Sequence, residues 1–297
     1  MNIFNFFKGK NLNGITGLNA RNLQLIYPNN ERKYYKMADN KVLSKKLLHK
    51  HDIPCAVTYA VIERMSDIKK KWKACKKYDA MAVKPANGSG GEGIKIIRKN
   101  EDGQWISSGR IIKEEEIIRH MSAILSGLFS LGANDCVLIE ECIIPHPFFA
   151  EIYPEGVPDF RVITLKGNPI MGMLRMPTAR SEGKANLHQK GVGIGIDMKK
   201  GILTQVYDGK KYSDHHPDNP NIVFGKPIPY WNEIIEIAIA TSKVFPLDYL
   251  GIDIVIDKNK GPQIMEVNVR PGLGIQLVNR QGLHKVIADL KKNNTRG

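Results

Sequence analysis

Lys84-Pro85-Ala86-Asn87-Gly88-Ser89-Gly90-Gly91-Glu92-Gly93 carries a G-x-G-x-x-G spacing at Gly88, Gly90 and Gly93, and the residues after it decide the fold. A dinucleotide-binding turn requires a helix to open there, with the pyrophosphate on its N-terminus. Instead Ile94-Lys95-Ile96-Ile97-Arg98 alternates in strand fashion and ends in Lys99-Asn100-Glu101-Asp102-Gly103, a turn composition. Residues 80–84 also read as a strand. The glycines therefore form a flap between two antiparallel strands, and a Rossmann turn is excluded.

Working outward, Asp39 is the expected N-cap of a helix that carries Val42, Leu43, Leu47 and Leu48 and ends before Ile53-Pro54. Lys41 falls in its first turn. A cation there opposes the helix dipole by roughly a few tenths of a kcal/mol, so its ammonium reaches for solvent or for an anion. Residues 55–59 read as a strand, and 66–77 and 114–126 as helices, the second with Ile117, Ile118, Met121 and Leu125 on one face. An apolar run over 136–144 is interrupted by Glu140-Glu141 and stopped by Pro145-His146-Pro147. Strands over 160–165 and 170–175 are joined by the turn Lys166-Gly167-Asn168-Pro169, and 177–195 reads as a polar loop. A helix over Trp231–Val244 follows, then strands over 251–256 and 263–267, then a last helix over about 277–291.

The composition fits a globular protein: 297 residues, 42% hydrophobic, with no apolar stretch approaching the roughly 18 to 20 residues that span a bilayer. No signal-peptide pattern opens the chain, so a cytoplasmic location is expected. Cys55, Cys75, Cys136 and Cys142 form no C-x-x-C pair, which argues against a zinc site or a disulfide framework. The net charge of +14 admits nucleic acid, anionic lipid or an acidic small molecule as partner. Its lysines are not interleaved with aromatic residues, as a single-strand stacking platform would need, so nucleic acid is not the expected partner.

The residues that carry chemistry cluster late in the chain. In Gly251-Ile252-Asp253-Ile254-Val255 and Met265-Glu266-Val267-Asn268, Glu266 and Asn268 are two apart on one strand and face one side, and Asp253 can join them from the neighbouring strand. Three such oxygen donors suit magnesium. The backbone amides of the glycine flap can cradle phosphate oxygens, with Lys84 at its base as a point charge. Glu140 and Glu141 inside an apolar strand need donors at an edge or cleft. Arg161 and Arg175 on apolar strands need anions, and Asn186, His188, Lys184 and Lys190 lie in a loop able to close over an acidic substrate.

In this order the motifs resemble the ATP-grasp superfamily, most closely the ribosomal-protein glutamate ligases and the alpha-L-glutamate-ligase-like or sugar-transfer-associated ATP-grasp proteins. The resembling stretches are Ala38-Asp39-Asn40-Lys41, Val83-Lys84-Pro85 with its glycine loop, Ile139-Glu140-Glu141, Asp159-Phe160-Arg161-Val162, Met173-Leu174-Arg175, Ala185-Asn186-Leu187-His188-Gln189, Gly251-Ile252-Asp253 and Glu266-Val267-Asn268-Val269-Arg270-Pro271-Gly272. The resemblance implies an α+β ATP-grasp fold of two α+β lobes with the nucleotide between them. It assigns 1–40 to a short segment in place of the family's usual leading lobe, 41–137 to the lobe with the flap, and 138–297 to the lobe with the adenine hinge and the metal site.

The resemblance also implies roles. Lys41, Lys84 and the flap residues Gly88, Ser89, Gly90, Gly91 and Gly93 would contact the phosphates of ATP. Glu140, Glu141, Cys142 and Ile143 would line the adenine cleft, and Asp159 would hold the ribose. Asp253, Glu266 and Asn268 would hold Mg2+, two ions in number, with Mn2+ able to substitute. Arg175 would stabilise the transferring phosphoryl group and the acyl phosphate, Arg161 is a further catalytic candidate, and Asn186 would lie near the acceptor or the acyl group. Arg270 stands where the glutamate ligases commonly carry a small residue, which adds an anion contact. The implied reaction joins an acidic small molecule or peptide carboxylate to an amine acceptor through an acyl phosphate, giving an amide, ADP and phosphate. A kinase acting on a small-molecule hydroxyl and a non-catalytic nucleotide-binding module are the alternatives, and the oligomeric state is open, a homodimer included.

Overall fold

The computed structural model describes residues 14–88 and 90–294, and the flap residue Ser89 lies outside them. Two antiparallel sheets organise the chain. In sequence order the first is built from β1 (Thr58–Ile62), β2 (Ala80–Pro85), β3 (Lys95–Lys99), β4 (Trp105–Ser107), β5 (Arg110–Ile111) and β6 (Val137–Glu141), with spatial order β1-β6-β2-β3-β4-β5. The second is built from β7 (Asp159–Leu165), β8 (Asn168–Met176), β9 (Val192–Asp197), β10 (Ile202–Tyr207), β11 (Tyr212–Ser213), β12 (Tyr249–Asp257) and β13 (Gly261–Asn268), in the order β11-β10-β9-β8-β7-β12-β13.

The period of two along each strand sorts side chains between a core and a cleft. In the six-stranded sheet Met81, Val83, Ile97, Val137 and Ile139 pack with Ile68 and Trp72 of one helix and Ile117, Met121 and Ile124 of another. The intervening residues Ala82, Lys84, Ile96, Arg98 and Glu140 line the cleft. The helix α1 (Lys41–Lys50) precedes these two, α2 (Ile68–Cys75) and α3 (Glu114–Leu125). In the seven-stranded sheet Val162, Leu174, Ile252, Ile254 and Val267 are buried together with Ile234 and Ala238 of α4 (Trp231–Val244).

These cores divide the chain differently from the expected lobe boundaries at 41 and 138. Leu48 of α1, Ile53 and Cys55 are buried in the core of the seven-stranded sheet, and β6 lies inside the six-stranded one. Other elements also depart from the sequence reading. The helix over 41–50 is capped by Asn40, whose Oδ1 accepts from the amides of Val42 and Leu43, while Asp39 is still helical and its carboxylate faces Arg270. The first strand starts at Thr58 instead of residue 55. The turn after β7 is the two-residue Lys166-Gly167, both at positive φ, so β8 begins at Asn168. The stretch read as a polar loop gives way at Val192 to β9, whose glycines face close packing: a Cβ on Gly193 would collide with Val278, and one on Gly195 with Thr204. The last helix is two, α5 (Gly274–Val278) and α6 (Leu283–Asn294), broken at Arg280 (φ 52°). Among the described residues no helix is long and apolar enough to cross a membrane, and all of the cysteines named above are free thiols.

Candidate active site

Between the sheets lies a cleft of about 1010 Å³, floored by the polar face of the seven-stranded sheet and roofed by the flap strands. Its floor is an ion-pair row laid out by strand register. Asp253 stands opposite Glu266 on one side and Arg161 on the other, and Asp159 stands opposite Arg175. The Asp253–Arg161 and Asp159–Arg175 neighbours are of opposite charge and are withdrawn from water, which strengthens their attraction and makes an unpaired charge costly. Arg161 donates to both oxygens of Asp253, from Nε at 2.7 Å and from Nη2 at 2.6 Å. Arg175 donates from Nε to Asp159 at 2.6 Å, from Nη2 to Asp159 and to Asp253, the latter at 2.7 Å, and from Nη1 to Asn186 Oδ1 at 2.7 Å.

Burial alone would push the Asp253 carboxyl up, and the two guanidiniums outweigh it and hold it below the ordinary carboxylate range. For Asp159 the balance reverses: burial, aided by the nearby Asp253, exceeds the pull of Arg175 and raises its carboxyl. Arg175 is held charged well above its usual value, because Asp159 and Asp253 outweigh the cost of its burial.

A β-bulge shapes the metal-candidate end. The register steps from Asp253↔Glu266 to Ile254↔Ile264, leaving Met265 as the extra residue and aiming Glu266 into the cleft. Asn268 donates its Nδ2 to Asp253 at 3.2 Å, which directs its Oδ1 away from that carboxylate. Among the described residues no group of three His, Cys, Asp or Glu side chains is arranged to hold a metal. The donor set that fits a hard cation is the Glu266 carboxylate with the Asn268 oxygen beside it, while the oxygens of Asp253 are engaged by arginine.

Lys41 ties the flap to this end. Its Nζ donates to Gly88 O at 2.6 Å and meets Glu266 at 3.0 Å, and its backbone amide donates to Ala86 O at 3.0 Å. The cap residue Asn40 extends the tie through Asn87, whose amide groups donate to Asp135. Glycine is required at Gly93, where φ is +74° and a Cβ would sit 2.6 Å from the Phe129 ring. Gly90 and Gly91 are also at positive φ, and Gln189 approaches the Cβ position of Gly90 at 3.4 Å, so the 187–189 turn meets the flap across the cleft.

On the roof, Glu140 is 5% exposed and is held by Lys84 and by Lys45, the latter at 2.8 Å. Burial would raise its carboxyl, and the two lysines more than reverse this and lower it. Lys45 escaped the sequence reading because a lysine on a helix ordinarily faces water; its spacing of four from Lys41, one turn along the same face, is the signal that could have found it. Glu141 turns out of the row to Lys260 at 2.5 Å, and Cys142 and Ile143 follow it along the cleft wall, with Cys142 Sγ accepting from Arg98 at 3.4 Å. Asn186, His188 and Lys184 line the cleft, whereas Lys190 is not among its lining residues. Arg270 is also outside the cleft lining; it lies over the Tyr35 ring at 4.8 Å and meets Asp39 at 3.5 Å.

Known proteins show what this architecture is similar to. Biotin carboxylase from Campylobacter jejuni, solved as a beta-gamma-ATP complex, superposes with a TM-score of 0.50 at 13% identity over 82% of this chain and 42% of its own. The ATP-grasp ligase PsnB with its minimal precursor gives a TM-score of 0.47 at 12% identity, covering 88% of this chain. D-alanine–D-alanine ligase from Bacillus anthracis gives 0.46 at 16% identity, covering 88% of this chain and 70% of its own. The chain spans 61% of the PsnB chain. No curated protein matches the sequence. The family described as sugar-transfer associated ATP-grasp matches residues 20–292, nearly the whole of the two-sheet unit described above. The chain therefore belongs to the sugar-transfer associated ATP-grasp family.

Proposed function

We propose that the protein is an ATP-dependent ligase that joins a carboxylate to an amine. The observation that carries this reading is the convergence, in one cleft between two sheets, of a glycine flap, the cations Lys41, Lys84, Arg161 and Arg175, and the oxygen donors Glu266 and Asn268. Phosphoryl transfer needs positioning and charge neutralisation more than covalent chemistry from the protein, and this is the equipment for it.

In this reading the substrate carboxylate attacks the γ-phosphorus of ATP, the bond to the β-phosphate oxygen breaks, and ADP leaves. The amine nitrogen then attacks the carbonyl carbon of the acyl phosphate, loses a proton, and inorganic phosphate departs. Lys41 and the flap amides hold the phosphates; Ile94 and Ile96 with the 140–143 segment flank the base. Arg175, held charged by two carboxylates, faces the anionic centre, and Asn186 on its Nη1 orients the acceptor side. Bound Mg2+ supplies further neutralisation of phosphate charge, and Glu266 and Asn268 are the residues that would hold it, with Lys41 giving up its contact to Glu266. Both oxygens of Asp159 accept from Arg175, so its role is to fix that guanidinium, in place of the ribose contact implied by the resemblance.

The test is a panel of acids and amines assayed for ADP release, with mass spectrometry of the product. A new amide with stoichiometric ADP and phosphate supports the reading. A phosphorylated hydroxyl compound would make the protein a kinase, and nucleotide binding without turnover of any pair would make it a binding module.

A further inference from the structure

Beside the metal-candidate end of the cleft is a second cavity of about 520 Å³, walled by Asn22, Tyr27, Asn30, Tyr35, Arg270 and the charged run Glu31-Arg32-Lys33. We propose that this cavity takes a second anionic group of the acid substrate, so that the preferred acids are small dicarboxylates; the proposal rests on the ligase reading above and deepens it.

Two independent features point to an anion. The first is the charge of the wall. Lys33 is neutralised by Glu31 at 2.6 Å and Arg270, half exposed, meets Asp39 at the longer distance of 3.5 Å, which leaves the exposed Arg32 as the cation of this wall with no carboxylate partner among the described residues. The second is Arg21, which lies next to the wall residue Asn22 and is only 8% exposed. Its guanidinium has neutral acceptors alone: Asn22 Oδ1 at 3.2 and 3.0 Å and Pro271 O at 3.1 Å. No described carboxylate pairs with it, and residues 1–13 contain no Asp or Glu. A buried guanidinium without a counter-ion is costly, and burial together with the nearby Arg270 holds Arg21 below its ordinary value. An anion entering here meets Arg270 and Arg32 directly, and its charge offsets that of Arg21 behind Asn22.

The position fits one molecule reaching both sites. Arg270 comes two residues after Asn268, and Asp39 two residues before Lys41, which contacts Glu266. The Asp39–Arg270 pair therefore stands between the cavity and the phosphate end of the cleft. An acid lying across that pair presents one carboxylate to the Lys41 ammonium and the other to Arg270 and Arg32, with the Tyr27 and Tyr35 rings along its carbon chain.

The test is calorimetric titration of the full chain with succinate, glutarate, propionate and inorganic phosphate, each with a non-hydrolysable ATP analogue and Mg2+ present. The wild type should bind a dicarboxylate at least about tenfold tighter than propionate, and Arg270→Ala and Arg32→Ala should each lose that preference while binding the ATP analogue as before. Equal affinity for propionate and the dicarboxylates, binding of phosphate alone, or an undiminished preference in both variants overturns the proposal. Binding heat is read without turnover, so failure of the ligase reading appears separately, as dicarboxylates that bind selectively yet release no ADP with any amine.

Discussion

Replacing Asp253 by Asn should cost the protein a large part of its stability. The Asp253 carboxylate is 1% exposed and accepts four hydrogen bonds, two from Arg161, one from Arg175 and one from Asn268. Arg175 keeps Asp159, but Arg161, 9% exposed, makes its hydrogen bonds to Asp253 alone and is left as an unpaired buried cation facing a new amide donor. Breaking a buried, hydrogen-bonded pair from one side costs about 3–5 kcal/mol. With a urea dependence of about 3 kcal/mol per molar, that lowers the unfolding midpoint by roughly 1–1.7 M. Glu266→Gln is the contrast, because the Glu266 side chain is 33% exposed and its pair with Lys41 contributes about 1 kcal/mol at most. Urea unfolding followed by far-ultraviolet circular dichroism separates the two. A Asp253→Asn midpoint within the spread of Glu266→Gln would refute the buried ion-pair row as a structural element.

The other expectations follow from the same geometry. Lys41→Ala removes a charged donor at the flap and should weaken binding of a non-hydrolysable ATP analogue by about tenfold or more, read by calorimetry; unchanged affinity removes Lys41 from the phosphate site. Glu140 has a carboxyl lowered from 4.5, so its contribution to stability is complete above that value and is lost as pH falls through the lower folded-state value. Glu140→Gln should therefore be less stable than wild type at pH 7, with the gap narrowing below about pH 4.5, as urea midpoints across pH will tell; a constant gap contradicts the pairing with Lys45 and Lys84. Gly93→Ala forces a side chain to positive φ against Phe129 and should cost about 1–2 kcal/mol, seen as a lower melting temperature, and an unaltered one would mean that the flap backbone relaxes freely.

Much of this was readable in advance because it depends on local periodicity. The strand after the glycine flap, the Trp231–Val244 helix and the pairing of Asp253 with Glu266 each follow from alternation or helical spacing within a short window. What stayed hidden depends on partners distant in sequence. Strand β9 hides because Gly193 and Gly195 look like loop residues, and only Val278 and Thr204, packed against them, explain why a strand needs glycine there. Lys45 looks like one more surface lysine until the fold brings Glu140 to it. The cap falls on Asn40 instead of Asp39 because Asp39 closes the short helix 35–39 and Asn40 is the one extended residue between the two helices. Residue types also leave partners open: Asp159 and Asp253 read as contacts for ribose and metal, and only the fold shows that their oxygens also accept from Arg175 and Arg161.

The proposal that a carboxylate is activated before the amine attacks can be tested by incubating the protein with ATP, Mg2+ and a dicarboxylate in the presence of hydroxylamine. A ligase of this kind will release ADP and form the hydroxamate of the acid, and Glu266→Gln, folded but without the carboxylate proposed to hold magnesium, will form little of it. ADP release without hydroxamate, or no ADP release with any acid, would contradict carboxylate activation.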